Sequence, residues 1–261
     1  MSNEPQVLGV YSYSKQTEAG TGTTTKDYVQ KIYWFAMRIS DEQIEVQPLN
    51  SNHVPSGIVK LISKGEFVRD YEPEVEYYQK NTIPHMRSLK EKVEKGEQFF
   101  QEGNFNQAEA QFIKALVIDP DNARANLGLG SVYCETRNYE KIKGIFAKLV
   151  INPDTFKKEL SQQFNRFAVG LRKNKQYDEA ILFYDKAIAV NEGDENLYFN
   201  TARAYFEKGD FGEAISYLEA AVRINPGFVE AHKFIRYCQK HASSRPRHGQ
   251  DDLDLPDITV R

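Results

Sequence analysis

The spacing of apolar residues changes once along this chain. From Gln6 to about Ile62 they alternate with polar residues or run in short blocks, and from Leu89 to about His241 they recur at three and four. The first spacing predicts strands and the second predicts amphipathic helices, because side chains alternate faces along a strand and return to one face after a helical turn. Val7, Gly9, Tyr11 and Tyr13 against Leu8, Val10 and Ser12 predict a first strand, and Tyr28 to Ile39, which holds the only tryptophan, Trp34, predicts a second. Gln43 to Gln47 and Ile58 to Ile62 predict two more. The thirteen residues KQTEAGTGTTTKD between the first two are too poor in apolar surface for anything but a loop. Four short strands with no helix among them predict a small antiparallel sheet or partly closed barrel. Pro73 beside acidic residues opens a short connecting helix, Glu74 to Lys80, and Pro84 is expected to interrupt it.

The helical part repeats. Ala108, Ile142, Ala180 and Ala214 occupy equivalent places separated by 34, 38 and 34 residues. Set in phase, Gly96, Gly130, Ala168 and Ala202 share the eighth position, where two helices cross so closely that only a small side chain fits. Phe99, Tyr133, Leu171 and Tyr205 share the eleventh, and Phe112, Phe146, Tyr184 and Leu218 the twenty-fourth. Phe105, Tyr139, Tyr177 and Phe211 follow the turn inside each unit; Ala115, Ala187 and Ala221 are small again at the twenty-seventh position; Pro120 and Pro226 close their units. Two helices of such a unit cannot bury their apolar faces alone, so stability has to come from stacking neighbours.

This order of small, aromatic, Ala and Pro positions resembles the tetratricopeptide repeat family. The resemblance covers a little over half the chain. It implies a right-handed helical solenoid at 87–242; with the small antiparallel β module that the strand pattern predicts at 1–71 and the connecting helix or linker at 72–86, the expected fold is α+β, mainly α. The units fall at about 89–122, 123–156, 161–194 and 195–228, with a capping helix at 229–241. The four extra residues around INPDTFKKELSQQF predict a longer first helix in the third unit.

Composition narrows the function classes. Of 261 residues, 40% are hydrophobic and 27% charged, an ordinary globular balance, and the net charge of -3 offers no bulk attraction to nucleic acid. Strand aromatics such as Tyr11, Tyr13, Tyr33, Trp34 and Phe35 invite base stacking, but residues 1–75 hold seven Lys/Arg against ten Asp/Glu, and core packing is the better account. No apolar run reaches membrane-spanning length and no secretory start is present, so the chain is expected to be cytoplasmic. Residues 243–261 carry few large apolar side chains and turn from Arg245 and Arg247 to Asp251, Asp252, Asp254 and Asp257, which predicts a disordered tail.

Chemistry is mostly absent. AGTGTTTK lacks the order of a phosphate loop and leads into a strand, no Ser lies in a nucleophile elbow, and the five histidines show no partner arrangement. Cys134 and Cys238 read as buried structural thiols. No catalytic residue, metal ligand or cofactor is assigned, and the chain is read as no enzyme.

What remains is the surface that the family resemblance implies: the inner helices of successive units line a groove for a peptide. Carried over by phase, its residues are Arg124, Leu127 and Ser131 in unit two, Asn165, Arg166, Val169 and Arg172 in unit three, and Asn196, Phe199, Asn200 and Arg203 in unit four. Arg and Asn side chains suit an acidic or C-terminal protein segment. The set departs from the chaperone-binding subgroup, since Leu127 and Gly128 stand where a clamp side chain is needed. DDLDLPDI in the tail offers a segment for the same groove, in its own molecule or in another copy. The expected function is a non-catalytic adaptor or scaffold; the alternative is a regulatory subunit whose β module binds a small ligand or nucleic acid while the repeats mediate assembly.

Overall fold

The computed structural model describes residues 5–19 and 26–244, with side chains at 5–14 and 30–241. The expected disorder of the tail falls, beyond Ser244, outside the described residues, as does the middle of the glycine-rich loop. The chain divides into two compact units, 1–126 and 127–261.

The first unit opens with a five-stranded antiparallel sheet in the order β4-β3-β2-β1-β5. Its strands are β1 (Gln6–Ala19), β2 (Lys26–Arg38), β3 (Gln43–Pro48), β4 (Lys60–Ser63) and β5 (Tyr71–Pro73). Gly9, at φ +109°, sits at a register shift between Val7 and Gly9, and its open α-carbon faces the ring of Tyr78. A helix, α1 (Lys64–Asp70), follows β4, with the Ser63 side chain accepting from the Glu66 amide as its cap. Ala36, Ile44, Val46 and Ile62 from the sheet bury against Phe67 and Tyr71.

Three expectations need correction here. The loop read at residues 15–27 is strand at both ends: β1 runs to Ala19 and β2 starts at Lys26, because a two-stranded ribbon satisfies its backbone by cross-strand pairing without needing apolar side chains. The sheet has a fifth strand, and no barrel closes. Nor does Pro84 interrupt the connecting helix: α2 (Val75–Tyr77) passes through a π turn, Tyr78–Thr82, straight into α3 (Ile83–Gln101), with the proline at the second residue of α3, where the wider winding of the π turn before it accommodates the ring and the missing amide hydrogen.

In the same unit, α3 pairs with α4 (Phe105–Ile118). The loop after β3 closes the end of α4: Asn50 Nδ2 donates to the Ile118 carbonyl at 3.0 Å and Asn52 Nδ2 to that of Val117 at 2.9 Å. Terminal helix carbonyls lack intrahelical partners, so these two amides fasten sheet to hairpin.

Helix α5 (Ala123–Glu135) leads into the second unit, which continues with α6 (Tyr139–Ile151), α7 (Ser161–Lys173), α8 (Tyr177–Val190), α9 (Glu195–Lys208), α10 (Phe211–Ile224) and α11 (Val229–Ser244). The small eighth positions behave as the repeat requires. A Cβ on Gly130 would lie 2.7 Å from the Phe167 ring, and Ala168 and Ala202 are fully buried. Each inner helix ends on a left-handed residue at the fifteenth position: Gly103, Arg137, Lys175 and Gly209, with φ of 75°, 53°, 61° and 96°. The turn geometry is therefore conserved between units even where glycine is not. The extra residues before α7 do not lengthen it. Asn152 accepts from the Asp154 amide and starts two 3-10 turns, Pro153–Phe156 and Lys158–Leu160, because proline at that point fits a first turn and not a helix interior.

Candidate functional site

Helices α7 and α9 are the inner helices of consecutive hairpins in the second unit, and they bring the predicted Asn and Arg residues together. Asn165 Oδ1 accepts two hydrogen bonds, at 3.1 Å from Asn200 Nδ2 on α9 and at 3.3 Å from the Tyr184 hydroxyl. Both fall on the oxygen, which leaves the donor end of the Asn165 amide for another acceptor. Asn165 is exposed, while Asn200, Arg166, Val169 and Arg203 are half-buried.

Below this surface, Arg172 is 6% exposed and its guanidinium pairs with the carboxylate of Glu207. Burial pushes the Glu207 carboxyl above the usual carboxylate range, and the charges of Arg172 and then Arg203 oppose that rise. Tyr184 is fully buried and its hydroxyl is also raised by desolvation. Two guanidinium groups, those of Arg172 and Arg203, thus act on the Glu207 carboxylate.

The other predicted residues differ in burial and partners. Phe199 is buried against Phe228 and Phe234, at ring distances of 5.1 and 5.8 Å. Leu127 and Ser131 are buried in the second unit, the Ser131 hydroxyl donating to the Leu127 carbonyl at 2.9 Å. Asn196 is held by its own helix cap, its backbone amide donating to Asp194 Oδ1 at 3.0 Å. Arg124 belongs to the first unit, where it makes a bidentate pair with Glu97 at 2.9 and 2.5 Å. Phase along the repeat finds the inner helix, but large apolar residues at the fifth position turn into the core.

Two adjoining cavities mark the N-terminal ends of α7 and α9. One, of about 260 Å³, is lined by Ser161, Gln162, Asn165, Asn196, Phe199 and Asn200 among others. The second, of about 300 Å³, is lined by Phe156, Lys157, Lys158, Phe164, Val190 and Leu197 among others. They share Ser161, Phe164, Asp194 and Leu197. Sequence reasoning missed the second cavity. Its signal was the four-residue excess in the third unit, which builds the wall carrying Phe156.

The aromatics weighed for base stacking are packed inside the first unit. Tyr33 stacks on Tyr77 at 3.9 Å, Tyr11 meets Phe67 at 4.6 Å, and Trp34 lies edge-on to Tyr71 at 6.1 Å. Among the described residues no cluster of three metal-ligating side chains occurs, and no helix is long and apolar enough to cross a membrane.

Helical hairpins in series, each crossing at a small residue and each turning on a left-handed residue, define a helical-repeat protein. Residues 96–136 match the model of the TPR repeat, and residues 171–238 match that of the tetratricopeptide repeat. These two stretches are tetratricopeptide repeats, and an antiparallel sheet precedes them in the chain. The chain is 27% identical over 156 residues to the Hsp70-Hsp90 organising protein of Plasmodium falciparum, a match covering 59% of this chain and 26% of that protein. It is 24% identical over 232 residues to a TPR repeat-containing protein of Methanocaldococcus jannaschii, covering 85% of this chain and 38% of that one. The chain thus spans well under half the length of these curated relatives. A crystal structure of MamA protein is similar at TM-score 0.48 and 22% identity, over 60% of this chain and 83% of the other.

Proposed function

We propose that this chain is a non-catalytic adaptor that captures an extended, acidic segment of a partner protein on the inner faces of α7 and α9. The observation that carries this reading is the amide bridge between Asn200 and Asn165 at 3.1 Å, flanked along the same helices by Arg166 and Arg203. An extended peptide presents unpaired backbone groups at regular intervals, and amide side chains supply both donors and acceptors for them. Guanidinium groups beside the amides favour carboxylates through charge-assisted hydrogen bonds. The residues that take part are Asn165, Arg166, Val169, Asn200 and Arg203; the buried Arg172–Glu207 pair sets the field beneath them. The name of the Plasmodium falciparum relative, an organiser of two other proteins, agrees with an adaptor role.

The experiment is affinity capture from native extract with wild type beside an Arg166→Glu/Arg203→Glu variant, after circular dichroism has established equal helicity. A protein held by the wild type and lost by the variant supports the reading. Equal retention refutes it and moves binding to another surface.

A further inference from the structure

The cavity behind the 3-10 turns is the feature that the adaptor reading leaves unused. Phe156 packs on Phe164 and Phe183 at 5.7 and 5.2 Å, and Thr155 beneath it is fully buried. The inserted turns are therefore fixed in place, and they hold open about 300 Å³ that Phe156, Phe164, Val190 and Leu197 line with carbon. Val190 remains 64% exposed at this edge, and Lys158 stands at the same opening beside Lys157, which pairs with Asp154 at 2.7 Å, while Asp194 also lines the cavity. A concave apolar site with a few convergent polar groups is the usual form of a ligand pocket. The matching ligand has a branched apolar side chain with carboxylates on its neighbours, running on into the Asn165–Asn200 channel.

One segment of this chain has that composition. Asp251-Asp252-Leu253-Asp254-Leu255-Pro256-Asp257-Ile258 alternates acidic and apolar residues, and no Lys or Arg occurs between Arg247 and Arg261. The place where the chain leaves α11 also fits. His241 lies 6.3 Å from the ring of Phe206, and Tyr237 lies 5.5 Å from it. Phe206 is one turn beyond Arg203 on α9, so α11 ends beside the arginine end of the channel. A helix of 14 residues is roughly 21 Å long, and the 14 residues from 245 to 258 reach more than about 40 Å when extended. That length suffices to pass Arg203 and run back along α9 to Leu197.

Building on the channel reading above, we propose that Asp251–Ile258 of this chain occupies the channel in its own molecule. Its leucines fill the pocket made by the inserted turns, and its aspartates lie on Lys158, Arg166 and Arg203. The segment then competes with any partner for the site and sets the affinity that a partner must exceed.

The test uses the full chain and a labelled peptide of residues 249–259, followed by fluorescence anisotropy. A Leu253→Ser/Leu255→Ser variant of the full chain frees the channel, so the peptide binds it about tenfold more tightly than wild type if the native segment is docked nine-tenths of the time. Adding Val190→Asp or Arg203→Glu to that variant removes the gain. Tight, equal binding to wild type and to the Leu variant, abolished by Arg203→Glu, overturns the docked segment but leaves the channel standing. Binding indifferent to both Val190→Asp and Arg203→Glu, or no binding at all, overturns the proposal and counts against the channel for acidic peptides. A concentration-dependent dimer of wild type that the Leu variant lacks assigns the channel to a second copy's segment and overturns docking within one molecule.

Discussion

Gly96 on α3 lies so close to Phe112 on α4 that a Cβ at residue 96 would stand 2.7 Å from the phenylalanine ring. Phe112 is fully buried and has no room to withdraw. Two effects therefore compete in a Gly96→Ala variant. Helix propensity favours alanine by up to about 1 kcal/mol, while overpacking a close-packed core costs about 1–3 kcal/mol. Overpacking is expected to win, and a Gly96→Ala/Phe112→Leu double variant is expected to recover part of the loss. Urea midpoints decide it; a Gly96→Ala protein more stable than wild type would overturn the packing argument.

That glycine was legible in the sequence because a repeat supplies several readings of one position. Gly96, Gly130, Ala168 and Ala202 hold the same place in the repeat, and all are buried. Where the chain offers a single reading, inference was weaker. Helix α1 is a short run with only Phe67 buried, closed by the Ser63 cap, and β5 has three residues ending in proline. Such elements carry too few positions for a periodicity. The channel was half legible: phase placed Asn165, Arg166, Asn200 and Arg203 on inner helices, but it could not say that Leu127 and Phe199 turn inward, since that depends on what the neighbouring helix presents. The pocket walled by Phe156 was hidden because a four-residue excess reads equally as a longer helix or as new turns.

The Arg172–Glu207 pair is expected to be costly to break and cheap to replace. Their side chains are 7% and 16% exposed. Removing Arg172 leaves the Glu207 carboxylate with only the more distant charge of Arg203, so Arg172→Leu is expected to lose about 3 kcal/mol, the low end for a broken buried pair. Replacing both with apolar residues of similar volume removes the stranded charge, and Arg172→Met/Glu207→Met is expected to recover most of that loss. A double-mutant cycle in guanidinium measures it; strictly additive losses would show that the two groups do not act on each other.

Both thiols are expected to be inert in the native protein. Cys134 and Cys238 are buried, and desolvation pushes them up to about 12 and about 11. Since the thiolate is the reactive form, a disulfide reagent at pH 8 should meet almost none of it. Native protein should show no fast-reacting thiol and guanidinium-unfolded protein should show two. A fast native equivalent would place one of these cysteines at an accessible site.

Asp185 gives a pH dependence with a definite sign. It lies in the second unit, where Tyr217 donates a hydrogen bond to its Oδ1 at 2.8 Å. Burial raises the carboxyl, and the hydrogen bond from Tyr217 only partly offsets that rise. The folded state therefore holds this proton more firmly than the unfolded chain does. The resulting stabilisation is fully present below the unfolded value, about 3.9, and is lost as pH rises through the folded value. Asp185→Asn keeps the acceptor for Tyr217 and abolishes the ionisation. At pH 7 the variant should be at least as stable as wild type, and its advantage should shrink toward zero as the pH is brought below 4. Urea midpoints at the two pH values measure this. A variant that is less stable at pH 7 than at pH 4, relative to wild type, would show that the charged carboxylate is favoured at this position and that the hydrogen bond outweighs burial.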